Sequence, residues 1–268
     1  MSRSVSPMLR RSAARVRALT LLPHVPDVRD TAATMSTLVV SGTGTGVGKT
    51  VVTAAVAALA AARGAEVAVV KPAQTGVTPG EDGDLDAVRR LAGVTDLHEY
   101  ARFADPLSPA AAARRAHRAP VDLRDVAAQV AELTRTRRLV LVEGAGGLLV
   151  RYDEEGTTIA DLAHTLQAPV LVVTEPGLGT LNHTALTLEA MAHRGLELAG
   201  VVLGSWPADP DLACRSNVRD LETLAARPLA GAMPAGAGAL DAAEFLLVSR
   251  AALGPPLGGT FDAADFRR

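Results

Sequence analysis

Residues 41–50 read SGTGTGVGKT and follow the apolar run Leu38–Val40. Four glycines between positions 42 and 48 precede Lys49 and Thr50, and an alanine-rich segment comes next. A glycine-rich loop that joins a strand to a helix presents backbone N–H groups and the positive end of the helix dipole to phosphate oxygens. The strict P-loop pattern has its first glycine five positions before the second, whereas this chain has Gly42 one residue earlier. The stretch therefore predicts a P-loop of a variant kind.

The side chains of this loop predict a triphosphate and a metal ion as ligands. Lys49 is expected to reach the β- and γ-phosphates, and the Thr50 hydroxyl is expected to bind Mg²⁺. The residues that we assign to the nucleotide in this loop are Gly46, Val47, Gly48, Lys49, Thr50 and Val51.

Short apolar segments alternate with helical patterns along the rest of the chain. The predicted strands are 38–41, 66–70, 139–142, 169–174, 198–203 and 229–232, and the predicted helices are 51–63, 84–91, 122–137, 158–166, 180–194 and 211–226. Continuous apolar strands that alternate with helices are typical of an α/β fold whose mostly parallel sheet is covered by helices on both faces. We therefore predict a single domain of the P-loop NTPase type over residues 35–250, with its ligands beyond the carboxyl ends of the strands.

The two ends of the chain differ from this pattern. Residues 1–34 are rich in Arg and offer only the short apolar patch 19–22, which predicts a disordered N-terminal extension. Residues 251–268 become rich in Gly and Pro from Pro255 onwards, which predicts a flexible tail.

Composition excludes several classes of function. Six Arg and two Asp lie in residues 1–34, so the remainder has 21 basic and 27 acidic residues, which argues against a nucleic-acid partner. The longest apolar run, 51–62, is too short and too rich in alanine to span a bilayer, so we expect no membrane partner.

The single cysteine, Cys214, cannot form an intrachain disulfide. It fits a reducing compartment, so we expect a cytoplasmic protein.

A second group of polar residues predicts a metal site. Glu143 ends a predicted strand and is followed by Gly144, Gly146 and Gly147, which implies that something packs close to the backbone there. Mg²⁺ usually takes one or two carboxylates together with phosphate oxygens and water. The acidic loop 81–86 offers Asp82, Asp84 and Asp86, although such a loop by itself is typical of a solvated surface.

Four motifs in this order resemble the dethiobiotin synthetase family: GTGTGVGKT (42–50), KPAQTG (71–76), VEGAGG (142–147) and LGTLNH (178–183). The resemblance covers Met35 to about residue 245. It implies an enzyme of biotin biosynthesis that closes a ring on 7,8-diaminononanoate (diaminopelargonate) with CO₂ and ATP. One amine captures CO₂ as a carbamate, the carbamate oxygen attacks the γ-phosphate, and the second amine attacks the mixed anhydride and releases phosphate.

The resemblance also assigns roles to individual residues. It makes Lys49, Lys71 and Thr45 catalytic and makes Thr50, Asp84 and Glu143 the metal ligands. Further nucleotide contacts are implied at Gly144, Ala145, Gly146, Gly204, Ser205, Pro234, Ala235 and Gly236, besides Asp84 and Glu143. The diamine is implied to bind Thr75, and its carboxylate the helix start at Gly179, Thr180, Leu181 and Asn182, across a homodimer interface.

The chain departs from the family at the base-binding loop. Family members selective for adenine tend to have Asn where this chain has Gly204, so either ATP or another triphosphate such as CTP is expected to serve. Trp206 is expected either to stack on a base or to anchor the loop, and we prefer the anchor. The alternative function is a partitioning or septum-placement ATPase switch. Those proteins carry an extra lysine early in the P-loop, and Ser41–Gly46 contains none.

Overall fold

The computed structural model describes residues 37–267. The prediction for residues 1–34 lies outside that range. The strands are β1 (Thr37–Gly42), β2 (Val67–Lys71), β3 (Gln74–Thr75), β4 (Asp96–Glu99), β5 (Arg102–Phe103), β6 (Leu139–Glu143), β7 (Val170–Thr174), β8 (Leu198–Trp206) and β9 (Gly231–Pro234). Seven of them form one sheet in the order β4-β2-β6-β1-β7-β8-β9, while β3 and β5 pair separately.

Every strand pairing in the main sheet is parallel. The helices are α1 (Lys49–Ala61), α2 (Asp84–Ala92), α3 (Pro109–Arg115), α4 (Leu123–Leu133), α5 (Ile159–Leu166), α6 (Thr180–His193), α7 (Leu212–Ala225), α8 (Ala242–Ala252) and α9 (Ala263–Phe266), of which the last two follow β9. The predicted α/β fold, with its parallel sheet covered on both faces, is confirmed.

Two apolar cores flank the sheet because successive side chains of a strand point to opposite faces. In β1, Val39 belongs to the core beneath α4, α5, α6 and α7, whereas Leu38 and Val40 belong to the core beneath α1, α2 and α8. All three side chains are at most 1% exposed. The sheet is therefore buried on both faces, and its ligands must enter at an end of the strands.

The predicted elements lie close to the observed ones, and the differences have local causes. The helix predicted over 122–137 is α4, whose N-cap Asp122 accepts a hydrogen bond from the backbone N–H of Arg124. The edge strand β4 was not predicted, since its sequence DLHE is polar and all four residues are only half-buried. Helix α8 was not predicted either, although the Asp241 side chain caps it.

The flexible tail predicted for residues 251–268 is wrong over 251–267. Helix α8 crosses the predicted boundary, and Leu253 is fully buried. Leu253 forms a bridge with Gly231, and the N–H of Phe261 donates to the carbonyl oxygen of Leu253. The Gly and Pro residues here form a packed turn, because proline suits a 3₁₀ helix and glycine suits a left-handed conformation. Nowhere in residues 37–267 is a helix both long and apolar enough to span a membrane.

Candidate active site

The P-loop lies between β1 and α1, as predicted. Gly48 is the N-cap of α1 with φ of 96°, and Gly46 has φ of 80°, conformations that favour glycine. The Lys49 side chain folds back so that its Nζ donates to the carbonyl oxygen of Gly44 at 2.8 Å. Burial, with the nearby ammonium of Lys71, lowers the pKa of Lys49 to about 8. The P-loop therefore holds the buried ammonium group of Lys49 where a phosphate group is predicted to bind.

Lys71 joins the predicted carboxylates into one buried cluster. Its Nζ lies 2.5 Å from Asp84 Oδ2 and 2.7 Å from Glu143 Oε1, and it also donates to the carbonyl oxygen of Gly144 at 3.3 Å. The Thr50 hydroxyl donates to the same Glu143 oxygen at 2.9 Å. Lys71 is 3% exposed and Glu143 is fully buried, whereas Asp84 is 32% exposed. The four side chains, taken from four parts of the chain, thus meet at one place.

The sheet order explains this convergence. Strands β2, β6 and β1 are neighbours, and Lys71, Glu143 and Gly42 are their last residues. Parallel strands bring their carboxyl ends to one edge, which is where ligands bind in folds of this kind.

The charges in the cluster are mutually compensated. Burial alone would lower the pKa of Lys71, but the carboxylates of Glu143 and Asp84 outweigh it and raise that pKa above its ordinary value. Burial would raise the pKa of Asp84, but the Lys71 ammonium holds it below its usual range. Lys71 therefore stays cationic and Asp84 anionic near neutral pH.

Asp84 is the only one of the three predicted acids in its loop that reaches the cluster. Asp86 instead caps α2 by accepting the N–H of Gly83 at 2.9 Å, and the Asp82 side chain is exposed. Asp84 is held by Gln74, whose Oε1 accepts the backbone N–H of Asp84 at 2.9 Å. Sequence reasoning missed Gln74, which is 5% exposed and lies next to the predicted diamine contact Thr75.

The cluster fits a magnesium ion. Glu143 Oε2 is buried and has no hydrogen-bond partner, so one acidic oxygen remains available for a cation. Within the described range, no group of three or more His, Cys, Asp or Glu residues is placed to hold a metal. Two carboxylates with the Thr50 hydroxyl suit Mg²⁺ better than zinc, because Mg²⁺ takes few protein carboxylates and completes its shell with phosphate oxygens and water.

The glycine-rich turn after β6 is held by a tyrosine that sequence reasoning missed. The backbone N–H of Ala145 donates to the hydroxyl of Tyr152 at 2.8 Å, and Tyr152 is fully buried. Burial raises the pKa of this tyrosine. Gly146 has φ of 67°, and a Cβ there would lie 3.5 Å from the hydroxyl oxygen of Thr45. The turn therefore faces the P-loop, with Thr45 beside it.

A chain of hydroxyl groups joins the P-loop to the start of α6. Thr174 Oγ1 lies 3.1 Å from Thr43 Oγ1, 2.7 Å from Thr180 Oγ1 and 3.0 Å from Thr184 Oγ1. Thr174 and Thr184 are fully buried. This network fixes the predicted carboxylate-binding helix start relative to the phosphate loop. Only Thr180 was singled out from the sequence, and its hydroxyl points inward to the network.

The exposed side of the same helix start carries the other predicted contacts. Gly179 is the N-cap of α6 with φ of 92°, and Gly179 and Asn182 are exposed, while Leu181 is half-buried. Leu178 and Leu186 beside them are 88% and 58% exposed. Within one protomer, this helix end therefore faces outward.

Known proteins resemble the chain over most of its length. A family model described as AAA domain matches residues 36–238. The ATP-dependent dethiobiotin synthetase BioD of Frankia casuarinae is 69% identical over 233 residues, which are 87% of this chain and 98% of that protein. The enzyme of the same name from Parafrankia sp. is 68% identical over 234 residues, with the same coverage.

The chain belongs to the dethiobiotin synthetase family.

A solved structure of lower similarity bears on the alternative function. The septum site-determining protein MinD from Pyrococcus horikoshii, in complex with Mg-ADP, has a TM-score of 0.50 at 17% identity and covers 81% of this chain and 94% of its own. A likeness at this level shows the fold alone. The ATPase-switch alternative thus shares an architecture with this dethiobiotin synthetase family member and nothing more.

The predicted base-binding loop holds Gly204 for a reason that the sequence did not reveal. A Cβ at Gly204 would lie 1.9 Å from the carbonyl oxygen of Val47 and 2.6 Å from a methyl group of Val173. A Cβ at Gly48 would in turn lie 2.5 Å from the carbonyl oxygen of Gly204. The backbones of the P-loop and the end of β8 therefore touch, and no side chain fits at position 204.

The remaining predicted base contacts lie on the next loop. The N–H of Ala235 donates to the carbonyl oxygen of Trp206 at 2.7 Å, and Pro234 pairs with Trp206 between β8 and β9. Ser205 and Gly236 are exposed. The Trp206 ring packs against Phe266 with ring centroids 4.8 Å apart, so the preferred role of Trp206 as an anchor agrees with the structure.

The chain has two lysines, and both lie close to the proposed ligand site. The 27 basic residues include two lysines, of which Lys49 lies in the P-loop and Lys71 in the cluster beside it. An ammonium is a compact point charge, so a single nitrogen of Lys71 contacts Asp84, Glu143 and the carbonyl oxygen of Gly144. The site therefore holds every amine side chain of the protein.

Proposed function

We propose that this protein is a dethiobiotin synthetase, which closes a cyclic urea on 7,8-diaminononanoate with CO₂ at the expense of a nucleoside triphosphate. The observation that carries the proposal is the contact of Lys71 Nζ with both Asp84 and Glu143 beside the P-loop. A loop that only holds a nucleotide needs Lys49 and Thr50. A second buried cation beside it is what a reaction with several developing negative charges requires.

We assign Mg²⁺ to Thr50, Asp84 and Glu143, which present one hydroxyl and two carboxylates, one of them with an unpartnered buried oxygen. When bound, the ion neutralises phosphate oxygens during phosphoryl transfer. Glu143 is held for this task by Lys71 and Thr50, and Asp84 is held by the Gln74 amide oxygen through its own backbone N–H.

The two lysines have different tasks in the proposed reaction. Lys49 lies inside the P-loop, and its ammonium is placed for the phosphate oxygens. Lys71 remains protonated and faces the turn after Glu143, where it can stabilise the carbamate as its oxygen attacks the γ-phosphorus and the nucleoside diphosphate leaves. The second amine then attacks the carbonyl carbon of the mixed anhydride, the ring closes and phosphate departs. Positioning and charge stabilisation supply most of the catalysis in such a step.

We assign the diamine to the space near Thr75 and its carboxylate to the helix start Gly179–Asn182. A helix N-terminus favours an anion because its first N–H groups have no partner within the helix. The exposed Leu178 and Leu186 support a homodimer in which this helix end meets the site of the partner subunit. Thr180 contributes its backbone only, since its hydroxyl is within the Thr174 network.

The base is proposed to be read by main-chain groups of the loops at 204–206 and 234–236. Gly204 has no side chain to offer, and space for one is absent. The names of the relatives specify ATP, and main-chain recognition allows CTP or another triphosphate as well.

The test supplies diaminopelargonate, bicarbonate, Mg²⁺ and each nucleoside triphosphate in turn, with dethiobiotin followed by mass spectrometry. We expect product with at least one nucleotide, and we expect Lys71→Gln to lower turnover by about 10²-fold or more, because a preorganised electrostatic group is lost. Arg124→Gln is the control, since that side chain is 87% exposed and lies in a surface ion pair. No product with any nucleotide, or normal turnover in Lys71→Gln, would refute the proposal.

A further inference from the structure

Three of the few aromatic residues form a cluster at the loop 204–206, one of the two loops proposed to bind the nucleotide base. The chain has one Trp, two Tyr and four Phe. The Trp206 and Phe266 rings are 4.8 Å apart at 64°, and the Phe261 and Phe266 rings are 5.1 Å apart at 56°. Edge-to-face and tilted pairs at these distances are favourable arrangements. Two of the three rings come from the C-terminal segment 253–267, which we call the C-terminal clamp.

The C-terminal clamp is fixed at several points that do not involve Trp206. The N–H of Gly254 donates to the carbonyl oxygen of Ala230 at 2.8 Å, just before β9. At the other end, the guanidinium of Arg267 lies 2.9 Å from Glu222, a residue of α7 that is 8% exposed. The second oxygen of Glu222 accepts the N–H of Leu229 at 3.0 Å. The clamp is therefore held to the body at both ends, which allows Phe266 to restrain Trp206.

Trp206 is the residue at which the loop 204–206 pairs again with the neighbouring strand, β9. The ladder between β8 and β9 is interrupted after Leu203 and resumes where Trp206 pairs with Pro234. Gly204 and Ser205 lie in the interruption, and Gly204 lies against the P-loop. Any displacement of Trp206 therefore moves the backbone that faces the nucleotide.

We propose that Phe266, supported by Phe261, is a positioning residue for the nucleotide base and acts by holding Trp206 in place. The inference rests on the proposed function only in taking the loops at 204–206 and 234–236 as the base pocket. Loss of the ring contact leaves the phosphate loop and the Lys71 cluster intact. It therefore weakens nucleotide affinity and lowers discrimination between bases, while turnover at saturating nucleotide stays close to that of the unaltered protein.

The test uses the full chain and its single tryptophan. Phe266→Ala removes the ring, and Phe266→Leu keeps apolar volume without it. Leu198→Ala is the control, because it removes apolar surface from the opposite end of the same strand and the same core. Direct titration with ATP, CTP and GTP is followed by Trp206 fluorescence and by calorimetry, without diamine, so that it reports on binding even if the proposed reaction is wrong. Steady-state assays then separate KM from kcat.

We expect nucleotide dissociation constants to rise by about 2- to 10-fold in both Phe266 variants, because the interaction energy of an aromatic pair corresponds to a factor in this range. The ratio of the constants for the best and worst bases should shrink, kcat should stay within about twofold, and Leu198→Ala should change neither. If Phe266→Ala does not fold, Phe266→Leu gives the same readout. Unchanged nucleotide dissociation constants in a folded Phe266 variant would overturn the proposal, as would a lowered kcat with unchanged affinity.

Discussion

Removal of the Lys71 charge should destabilise the protein measurably in the absence of any ligand. In Lys71→Met, the fully buried Glu143 and the partly exposed Asp84 both lose the Lys71 ammonium group, which lies 2.7 Å from Glu143 and 2.5 Å from Asp84. Breaking a buried ion pair by removing one partner costs about 3–5 kcal/mol. The lower end applies here, because Glu143 keeps the Thr50 hydroxyl and the nearby charge of Lys49, and Asp84 is 32% exposed to water. We therefore expect a loss of about 3 kcal/mol.

The assay is equilibrium unfolding in urea without nucleotide or metal. With a denaturant dependence of about 3 kcal/mol per molar for a chain of this size, the midpoint should fall by roughly 1 M. Asp84→Asn should cost less, because Lys71 keeps Glu143 as a partner. The double variant should be more stable than the two single losses added together predict, since both remove the same pair. Arg124→Met, in an exposed pair, should change stability by less than about 1 kcal/mol.

A loss below about 1 kcal/mol in Lys71→Met, equal to that of Arg124→Met, would refute this reasoning. Strict additivity of Lys71→Met and Asp84→Asn would also refute it, because the contact between the two side chains would then carry no energy of its own.

Three further predictions concern other parts of the site. Gly204→Ala should destabilise the protein by about 1–3 kcal/mol and weaken nucleotide binding, since its Cβ would lie 1.9 Å from the Val47 carbonyl oxygen. Gly177→Ala is the control, because a Cβ at Gly177 would have open space around it. Equal effects of the two substitutions in urea unfolding would contradict the prediction. Tyr152→Phe should cost about 1–3 kcal/mol, because the Ala145 N–H loses its acceptor, and an unchanged midpoint would argue against that bond. Nucleotide binding at pH 9 should take up protons through Lys49, because burial lowers its pKa to about 8 without ligand and phosphate oxygens raise it. Calorimetry in buffers of different ionisation enthalpy measures the uptake, and no uptake at pH 9 would contradict the role of Lys49 as the phosphate partner.

Local sequence patterns were sufficient for much of the fold and for part of the main cluster. The apolar strands and the glycine loop predicted the parallel sheet and the position of Lys49, because these depend on nearest neighbours along the chain. Lys71 and Glu143 follow apolar segments directly, and the ends of parallel strands share an edge, so their convergence was accessible from sequence. Asp84 could be chosen from the three aspartates of its loop only through the family resemblance.

Other parts of the site had no local signal. Gln74 and Tyr152 are ordinary polar and aromatic residues until their partners, the backbone N–H groups of Asp84 and Ala145, are known. The tail was predicted to be flexible because Gly and Pro are common in it, yet Leu253 is buried against β9. Composition reports on local preference, and burial depends on what else the fold places nearby.

The sequence by itself determined the layered α/β architecture, the phosphate loop and the identities of the charged residues, because periodicity and turn chemistry act over a few residues. Tertiary structure decided the contacts that no local pattern indicates. Thr43 and Thr174 are 131 positions apart and share a hydrogen bond, and Gly204 must be glycine because the backbone of Val47 occupies the space of its side chain. Such contacts depend on how tightly distant segments pack, and close packing is a property of the whole folded chain.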